Sequence, residues 1–168
     1  MLIDDFDNEQ LISKLGCQWN CVSDEVMGGI SKAKLSGAVL DGKRCLRLMG
    51  TVHLENNGGF IQAALDLADA GEFLDASPYL GIRLFVQGNG ERYGVHLRTS
   101  DNQNPWESYR AHFVAGKEWS TATIAFQDFV PHRTEAPLDT ACLRRIGIVA
   151  IGRPFDADVA LSKLLFYS

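Results

Sequence analysis

Residues 79–100, YLGIRLFVQGNGERYGVHLRTS, carry the strongest fold signal in the chain, because apolar and polar residues alternate on both sides of a turn signal. A period of two is typical of a strand with one buried face, and Asn89-Gly90 suits a two-residue hairpin turn. The stretch therefore predicts an antiparallel hairpin. A slip by one residue would turn one strand's apolar set to water, so the pattern fixes the register. That register pairs apolar residues on one face: Val86 with Tyr93, Leu84 with Val95 and Ile82 with Leu97.

Runs rich in Val, Ile, Leu and Phe, separated by turn signals, continue along the rest of the chain. We predict further strands at 43–54, 58–67, 108–115, 120–126, 144–152 and 159–167, and short helical turns at 7–16 and 138–145. No repeat or linker divides the 168 residues, which suit one core. The predicted architecture is all-β, an antiparallel β-sandwich of about eight to ten strands with one or two short helices. It forms a single domain over residues 1–168.

The charge balance limits the classes of partner. The chain has 16 basic and 21 acidic residues and a formal net charge of −5, whereas a generic nucleic-acid binder is usually basic. We therefore expect no nucleic-acid partner. No apolar run approaches the roughly 18–20 residues of a membrane span, and the N-terminal MLIDDFDNEQ has no secretion or transit signal. These features predict a cytoplasmic protein with no integral membrane segment and with reduced cysteines.

Residues 22–31, VSDEVMGGIS, are here termed the motif loop. The paired glycines permit positive φ, the serine and aspartate can accept hydrogen bonds from nearby amides, and the methionine can fill an apolar gap. These properties predict a rigid structural loop with a buried Met27 and a glycine in a conformation costly for other residues. The alternative is a loop that contacts a partner or ligand, because connecting segments often carry function. Its candidate residues are Ser23, Asp24, Met27, Gly28, Gly29 and Ser31.

The polar face of the predicted hairpin carries a cluster of basic residues. Pairing would place Arg83 opposite His96, and the strand at 108–115 would extend the same face. We term this predicted group the hairpin patch: Arg83, His96, Arg98, Arg110 and His112. Arginine donates in a fork that suits carboxylates and sulfates, so the patch predicts binding of an anionic or polyhydroxy group, with His96 mostly neutral. The alternative is a solvated outer sheet face whose charges pair with neighbouring acids.

Trp106 lies beside this patch in the turn-like stretch DNQNPWESY, residues 101–109. In this position it can stack on a sugar ring or close over a peptide. Alternatively it forms a lid on the core, because tryptophan is usually largely buried.

The sequence contains no recognisable catalytic or metal-binding motif. A GxSxG nucleophile turn is absent, the histidines form no HxH or HExxH cluster, and Cys17 and Cys21 have no second Cys/His pair close behind them. We therefore expect a protein that is not an enzyme, with no catalytic residue, no metal and no cofactor.

Four blocks of the chain resemble the complex I intermediate-associated protein family. The motif loop is similar to the family's Ser-Asp-x-x-Met-Gly-Gly-x-Ser signature. The later blocks, in the same order, are NNGGF (56–60), SYRAHF (108–113) and EWSTATIAFQDFVP (118–131). The resemblance implies a galactose-binding-domain-like jelly roll without catalytic activity. Mitochondrial members of the family assist assembly of NADH:ubiquinone oxidoreductase, so a chaperone-like role is also implied.

Two functional hypotheses follow. The first is a monomeric, non-catalytic binding or assembly module that engages a protein, such as a respiratory-complex assembly intermediate, or a small polar ligand. It would use the hairpin patch and the motif loop. The second is a carbohydrate-binding module that uses the concave sheet face and Trp106.

Overall fold

The computed structural model describes residues 1–168 except the side chain of Asn57. Twelve strands account for most of the regular structure. They are β1 Leu2–Asp4, β2 Trp19–Ser23, β3 Lys32–Leu40, β4 Lys43–Val52, β5 Phe60–Asp66, β6 Gly81–Gly88, β7 Arg92–Thr99, β8 Ser108–Val114, β9 Ser120–Ala125, β10 Val130–His132, β11 Leu143–Ile151 and β12 Phe155–Tyr167. Short 3-10 turns lie at Asp24–Met27, Glu55–Asn57, Phe126–Asp128 and Thr140–Cys142. Every strand predicted from the sequence is present, and β1, β2, β3 and β10 are additional.

The strands form two antiparallel sheets, each named here after one of its strands. The β6 sheet has the order β3-β4-β12-β6-β9, with β1 beside β12, and the β7 sheet has the order β10-β8-β7-β11-β5-β2. Side chains from both sheets contribute to one buried apolar cluster. The predicted antiparallel β-sandwich is therefore confirmed.

The predicted hairpin between β6 and β7 is wrong. β6 pairs with β12 and β9, whereas β7 pairs with β8 and β11, so the two strands belong to opposite sheets. The six alternating apolar residues do all point into the core, where each is at most 1% exposed: Ile82, Leu84, Val86, Tyr93, Val95 and Leu97. Alternation reports which face is buried. It cannot distinguish two strands paired side by side from two strands stacked across a core.

The turn residues also form different contacts from those of a hairpin. Of the two central residues only Gly90 has positive φ, at +85°, whereas the expected turn requires it at both. The Gly90 amide donates to the carbonyl of Ala115 (2.7 Å), and the Asn89 side-chain amide donates to the carbonyl of Asp156 (2.9 Å). These bonds hold the connection as a crossover from one sheet to the other.

The two predicted helical turns had different outcomes. Within 138–145 a 3-10 turn forms, and the Asp139 carboxylate caps it by accepting from the Ala141 amide at 3.0 Å. The stretch 7–16 forms two isolated turns and not the predicted helical turn: the Leu11 amide donates to the carbonyl of Asn8 (3.1 Å) and the Gly16 amide to that of Ser13 (2.9 Å). Other backbone groups of the stretch bond to residues just beyond it. Ser13 donates to the carbonyl of Cys17 (2.8 Å), and the Trp19 amide donates to the carbonyl of Leu11 (2.9 Å).

Candidate functional site

The outer surface of β7, β8 and β10 brings together five basic side chains. β7 directs His96 and Arg98 away from the core at alternate positions, and β8 does the same with Arg110 and His112. Register places His96 directly opposite Arg110 and places His132 of β10 opposite Ser108. We term this surface the basic face, defined by His96, Arg98, Arg110, His112 and His132. Four of these residues belong to the predicted hairpin patch, and sequence reasoning missed His132 because the short strand β10 was not predicted.

Arg83 does not belong to this surface, so the predicted five-residue hairpin patch is wrong. It lies on the outer surface of the β6 sheet, between Leu165 and Thr123, with its guanidinium 4.9 Å from the centre of the Tyr167 ring. The error follows from the hairpin, because a strand assigned to the wrong sheet carries its outward side chains with it.

His96 is neutral in this environment. Burial, followed by the nearby charges of Arg110, His112 and His132, lowers its pKa to about 3. Its ring lies above Gly94, where an added Cβ would be 3.2 Å from Nε2. That Nε2 atom is buried and has no hydrogen-bond partner among the described residues. The predicted neutral state therefore agrees with the structure, and a buried ring nitrogen is left unpaired.

Arg98 and Arg110 carry the fixed charge of the basic face. Arg98 donates through Nη2 to the carbonyl of Asn104 (3.1 Å), and Arg110 donates through Nε to the Ser108 hydroxyl (3.0 Å). Burial, together with neighbouring cations, lowers the pKa of both guanidinium groups, although arginine remains charged at neutral pH. Neither forms a salt bridge with any acid among the described side chains.

Three other arginines of the chain form ion pairs with acids, in contrast to Arg98 and Arg110. Arg47 donates two hydrogen bonds to Asp158 at 2.9 and 2.8 Å, and Arg145, beside Arg98 on β11, pairs with Asp66 at 2.7 Å. The predicted alternative, a solvated face whose charges pair with neighbouring acids, stays open: Arg98 forms no salt bridge among the described side chains, but Glu107 and Asp66, the partner of Arg145, are close enough to act on its charge.

Trp106 lies in the connection between β7 and β8, at one end of the basic face. Its side chain is 53% exposed. The alternative that Trp106 is a lid on the core is wrong. Trp106 is two positions along the chain from Asn104, whose carbonyl accepts the hydrogen bond from Arg98. Its exposed ring is available for stacking against a ligand.

The motif loop is organised around the carboxylate of Asp24. Its Oδ1 accepts from the Ser31 amide (3.0 Å), and its Oδ2 accepts from the amides of Gly59 (2.6 Å) and Phe60 (3.2 Å) and from the Ser31 hydroxyl. Burial alone would raise the pKa of Asp24, but these hydrogen bonds outweigh it and lower the pKa below its usual value. The Ser23 hydroxyl caps the 3-10 turn by accepting from the Glu25 amide (3.3 Å). The spacing of the motif therefore produces a hydrogen-bonded junction between two loops.

The two glycines of the motif loop have separate roles. Gly28 has φ of +84°, a left-handed conformation that other residues rarely adopt. Gly29 leaves room for the carboxylate, because a Cβ there would overlap the Asp24 side chain. The prediction of a costly glycine conformation is confirmed.

The predicted burial of Met27 is wrong. Met27 is 56% exposed and its neighbour Val26 is 76% exposed, while Ile30 is 42% exposed. Asp24 and Ser31 fill the interior of the loop instead, since both are fully buried. Buried polar groups need hydrogen-bond partners, and the four bonds to Asp24 supply them. The motif loop consequently presents apolar side chains to solvent.

A groove opens beside the basic face, between β9 of one sheet and β8 and β10 of the other. Its volume is about 670 Å³, and its lining includes Arg110, His112, Thr123, Asp128 and His132. Burial and nearby arginines lower the pKa of His112 and His132, so the fixed positive charge of this lining is that of Arg110, with Asp128 as its acidic member.

The described side chains contain no cluster of three or more His, Cys, Asp or Glu arranged to hold a metal ion. No helix of the described chain has the length and apolar character needed to cross a membrane.

The architecture is that of carbohydrate-binding modules. The family 11 module of the cellulosomal cellulase Lic26A-Cel5E from Clostridium thermocellum superposes with a TM-score of 0.74 over 100% of this chain and 94% of that chain, at 14% identity. The Clostridium thermocellum module in complex with a β-1,3-1,4-mixed-linked tetrasaccharide gives 0.71 over 99% and 94%, also at 14% identity. A family 30 carbohydrate-binding module gives 0.60 over 83% of each chain, at 15% identity.

The chain belongs to the complex I intermediate-associated protein 30 family, whose model matches residues 5–161. The resemblance of the four sequence blocks is thereby confirmed, together with the jelly-roll fold that it implied. No curated protein matches the chain.

Proposed function

We propose that this chain is a non-catalytic binding module for assembly of NADH:ubiquinone oxidoreductase, which holds an acidic segment of a protein partner on the basic face. Family membership supports the assembly role. The single observation that carries the site is the pair Arg98 and Arg110, two diagonal neighbours on one sheet surface that form no salt bridge among the described side chains.

Electrostatics favours an acidic protein segment as the ligand. The chain has a net charge of −5, so a basic surface on it is a local feature that orients an acidic partner. Guanidinium forks bind carboxylates with two parallel hydrogen bonds. Because Arg98 and Arg110 are already partly desolvated, a carboxylate that reaches them replaces little ordered water and gains a strong charge interaction.

Carbohydrate recognition is the second candidate function. The exposed ring of Trp106 at the end of the basic face favours it, because sugar rings stack on exposed aromatic side chains. Titration of the chain with a β-1,3-1,4-mixed-linked tetrasaccharide, with Trp106→Ala as the control variant, separates this candidate from the first.

The test of the first candidate is affinity capture from the native host followed by quantitative mass spectrometry. The informative variant is the double substitution Arg98→Gln/Arg110→Gln. Arg83→Gln is the control for location, since it makes the same kind of substitution, with the loss of one positive charge, on the opposite sheet. We expect the wild type and the control to recover subunits of NADH:ubiquinone oxidoreductase, and the double variant to recover far less at low salt.

Salt dependence gives the same test a second readout. Screening weakens exposed charge attraction above about 0.1 M ionic strength, so recovery by the wild type should fall with salt more steeply than recovery by the double variant. Equal recovery by the wild type and the double variant at both salt concentrations contradicts the proposed site. Recovery of no respiratory subunit by any variant contradicts the proposed assembly role.

A further inference from the structure

The free edge of β9 is a second feature next to the basic face. β9 pairs only with β6, and no other strand in the part of the chain described here lies along its opposite edge. The Phe126 amide donates to the carbonyl of Leu80 (2.9 Å), and two residues earlier Ile124 lies opposite Ile82. The even-numbered residues of β9 therefore direct their backbone groups toward β6. Antiparallel bonding alternates along a strand, so the amides and carbonyls of the intervening residues point away from β6. Those residues are Thr121, Thr123 and Ala125.

This edge lacks the protection that edges usually carry. Proteins discourage unwanted pairing at sheet edges with lysines, prolines, very short strands or covering segments. The other edge strands of the two sheets have such protection. β3 carries Lys32 and Lys34, and β10 has only three residues, one of them Pro131. β2 is covered at its start, where the Trp19 amide donates to the carbonyl of Leu11. β9 reads STATIA, with no charge and no proline. An open, uncharged edge of this kind suits the addition of a strand from another chain.

The groove beside the edge indicates the charge of such a strand. Arg110, which forms no salt bridge among the described side chains, lines it together with Asp128, and His112 and His132 contribute polar rings whose pKa is lowered. A strand added to β9 would lie over this groove and direct alternate side chains into it. Glutamate or aspartate at those positions would meet the guanidinium of Arg110. A second copy of this chain is disfavoured as the occupant in a β9-to-β9 pairing, because β9 reads STATIA and has no acidic residue to direct at Arg110.

We infer that β9 binds an extended acidic segment of the partner protein by strand addition, with main-chain bonds to Thr121, Thr123 and Ala125 and acidic side chains directed at Arg110. This inference rests on the proposed protein-binding function and specifies the conformation of the bound segment.

The test uses a fluorescent synthetic peptide in which glutamate alternates with valine and threonine, measured by anisotropy against the full chain. Thr123→Pro removes the amide that faces the groove, and proline is tolerated at an edge whose N–H faces solvent. Thr123→Val is the matched control, since it alters the same side chain and keeps the amide. Loss of one main-chain hydrogen bond predicts about tenfold weaker peptide binding by Thr123→Pro, and no comparable loss by Thr123→Val. Urea unfolding of both variants verifies that each is folded.

The outcomes separate this inference from the proposed function. A peptide with lysine in place of glutamate should not bind, and Arg110→Gln should weaken binding of the acidic peptide. Absence of peptide binding by the wild type, or equal binding by Thr123→Pro and Thr123→Val, overturns strand addition. If strand addition is overturned but Arg98→Gln/Arg110→Gln still abolishes capture of respiratory subunits, the proposed function stands and only strand addition is rejected. A concentration-dependent dimer in sedimentation velocity that Thr123→Pro abolishes would instead assign the edge to a second copy of this chain, and would overturn the inference.

Discussion

Replacement of Asp24 by alanine should destabilise the protein strongly, although this residue lies outside the core. The substitution leaves three buried amides without an acceptor, those of Ser31, Gly59 and Phe60. An unsatisfied buried donor costs about 1–3 kcal/mol, so three give an upper range near roughly 9 kcal/mol. Removal of the buried carboxylate recovers its desolvation cost, and water can enter the vacated space. We therefore expect a net loss of about 3–5 kcal/mol in the free energy of unfolding.

Urea unfolding monitored by tryptophan fluorescence measures this loss. Glu25→Ala is the matched control, because Glu25 is the next residue and forms only an exposed pair with Lys32 at 3.0 Å. Its expected cost is within about 0.5 kcal/mol. A loss of less than about 1 kcal/mol for Asp24→Ala would refute the view that this carboxylate organises the motif loop.

The pH dependence of Asp24 follows from its lowered pKa. A carboxyl group with a lower pKa in the folded state stabilises above its unfolded-state pKa, and this contribution is lost as pH falls through the folded-state pKa. The difference in stability between wild type and Asp24→Ala should therefore shrink in acid. A constant difference from neutral pH to strongly acidic pH would show that hydrogen bonding to the ionised carboxylate is not the cause.

Three further predictions test individual residues. His96→Gln should remove a loss of stability that the wild type shows in mild acid. Below pH 6.5 the unfolded chain binds a proton at His96, whereas the folded chain, in which the pKa of His96 is about 3, does not. The free energy of unfolding of the wild type alone should therefore fall by about 1.4 kcal/mol per pH unit in this range. Urea unfolding at neutral pH and in mild acid measures it, and parallel losses by both proteins would contradict the assignment. Gly29→Ala should destabilise by about 1–3 kcal/mol because its Cβ overlaps Asp24, a result that thermal unfolding checks and that an unchanged Tm would exclude. Met27→Ser should change the free energy of unfolding by less than about 0.5 kcal/mol, because the side chain is 56% exposed; a loss typical of a core methionine would restore the buried assignment.

The positions of most strands and their buried faces could be predicted from the sequence, but the partners of β6 could not. Alternation of Ile82, Leu84 and Val86 is a local property, so their burial could be inferred correctly. Pairing is a non-local property, and the same alternation serves strands in one sheet or in two. The contacts that decide between them, Asn89 to the backbone of Asp156 and Gly90 to that of Ala115, join residues far apart in the chain.

The candidate site could be predicted in part for the same reason. β7 and β8 are sequential partners, so His96, Arg98, Arg110 and His112 were placed together correctly. Arg83 was misplaced with its strand. The absence of a salt bridge to Arg98 among the described side chains, and the unpaired Nε2 of His96, depend on three-dimensional packing that no local pattern encodes.

The placement of Met27 shows a different limit. Hydrophobicity alone predicted that it would fill the loop interior. In the structure the Asp24 carboxylate occupies that interior, because its four donors come from two segments, Ser31 and residues 59–60. A signal was present in the sequence, since a glycine at position 29 leaves space for a neighbouring side chain, but identifying that side chain required the fold.

Chemical footprinting of histidines tests most directly whether the basic face binds the partner. Diethyl pyrocarbonate modifies neutral imidazole, and burial together with nearby arginines lowers the pKa of both His112 and His132, so both should react in the free chain at neutral pH. His53, which donates its amide to Ser31 beside the motif loop, is the internal control. In the complex captured from the native host, mass spectrometry should show His112 and His132 protected and His53 still modified. Protection of His53, with His112 and His132 as reactive as in the free chain, would contradict binding at the basic face and would assign the partner to the motif loop.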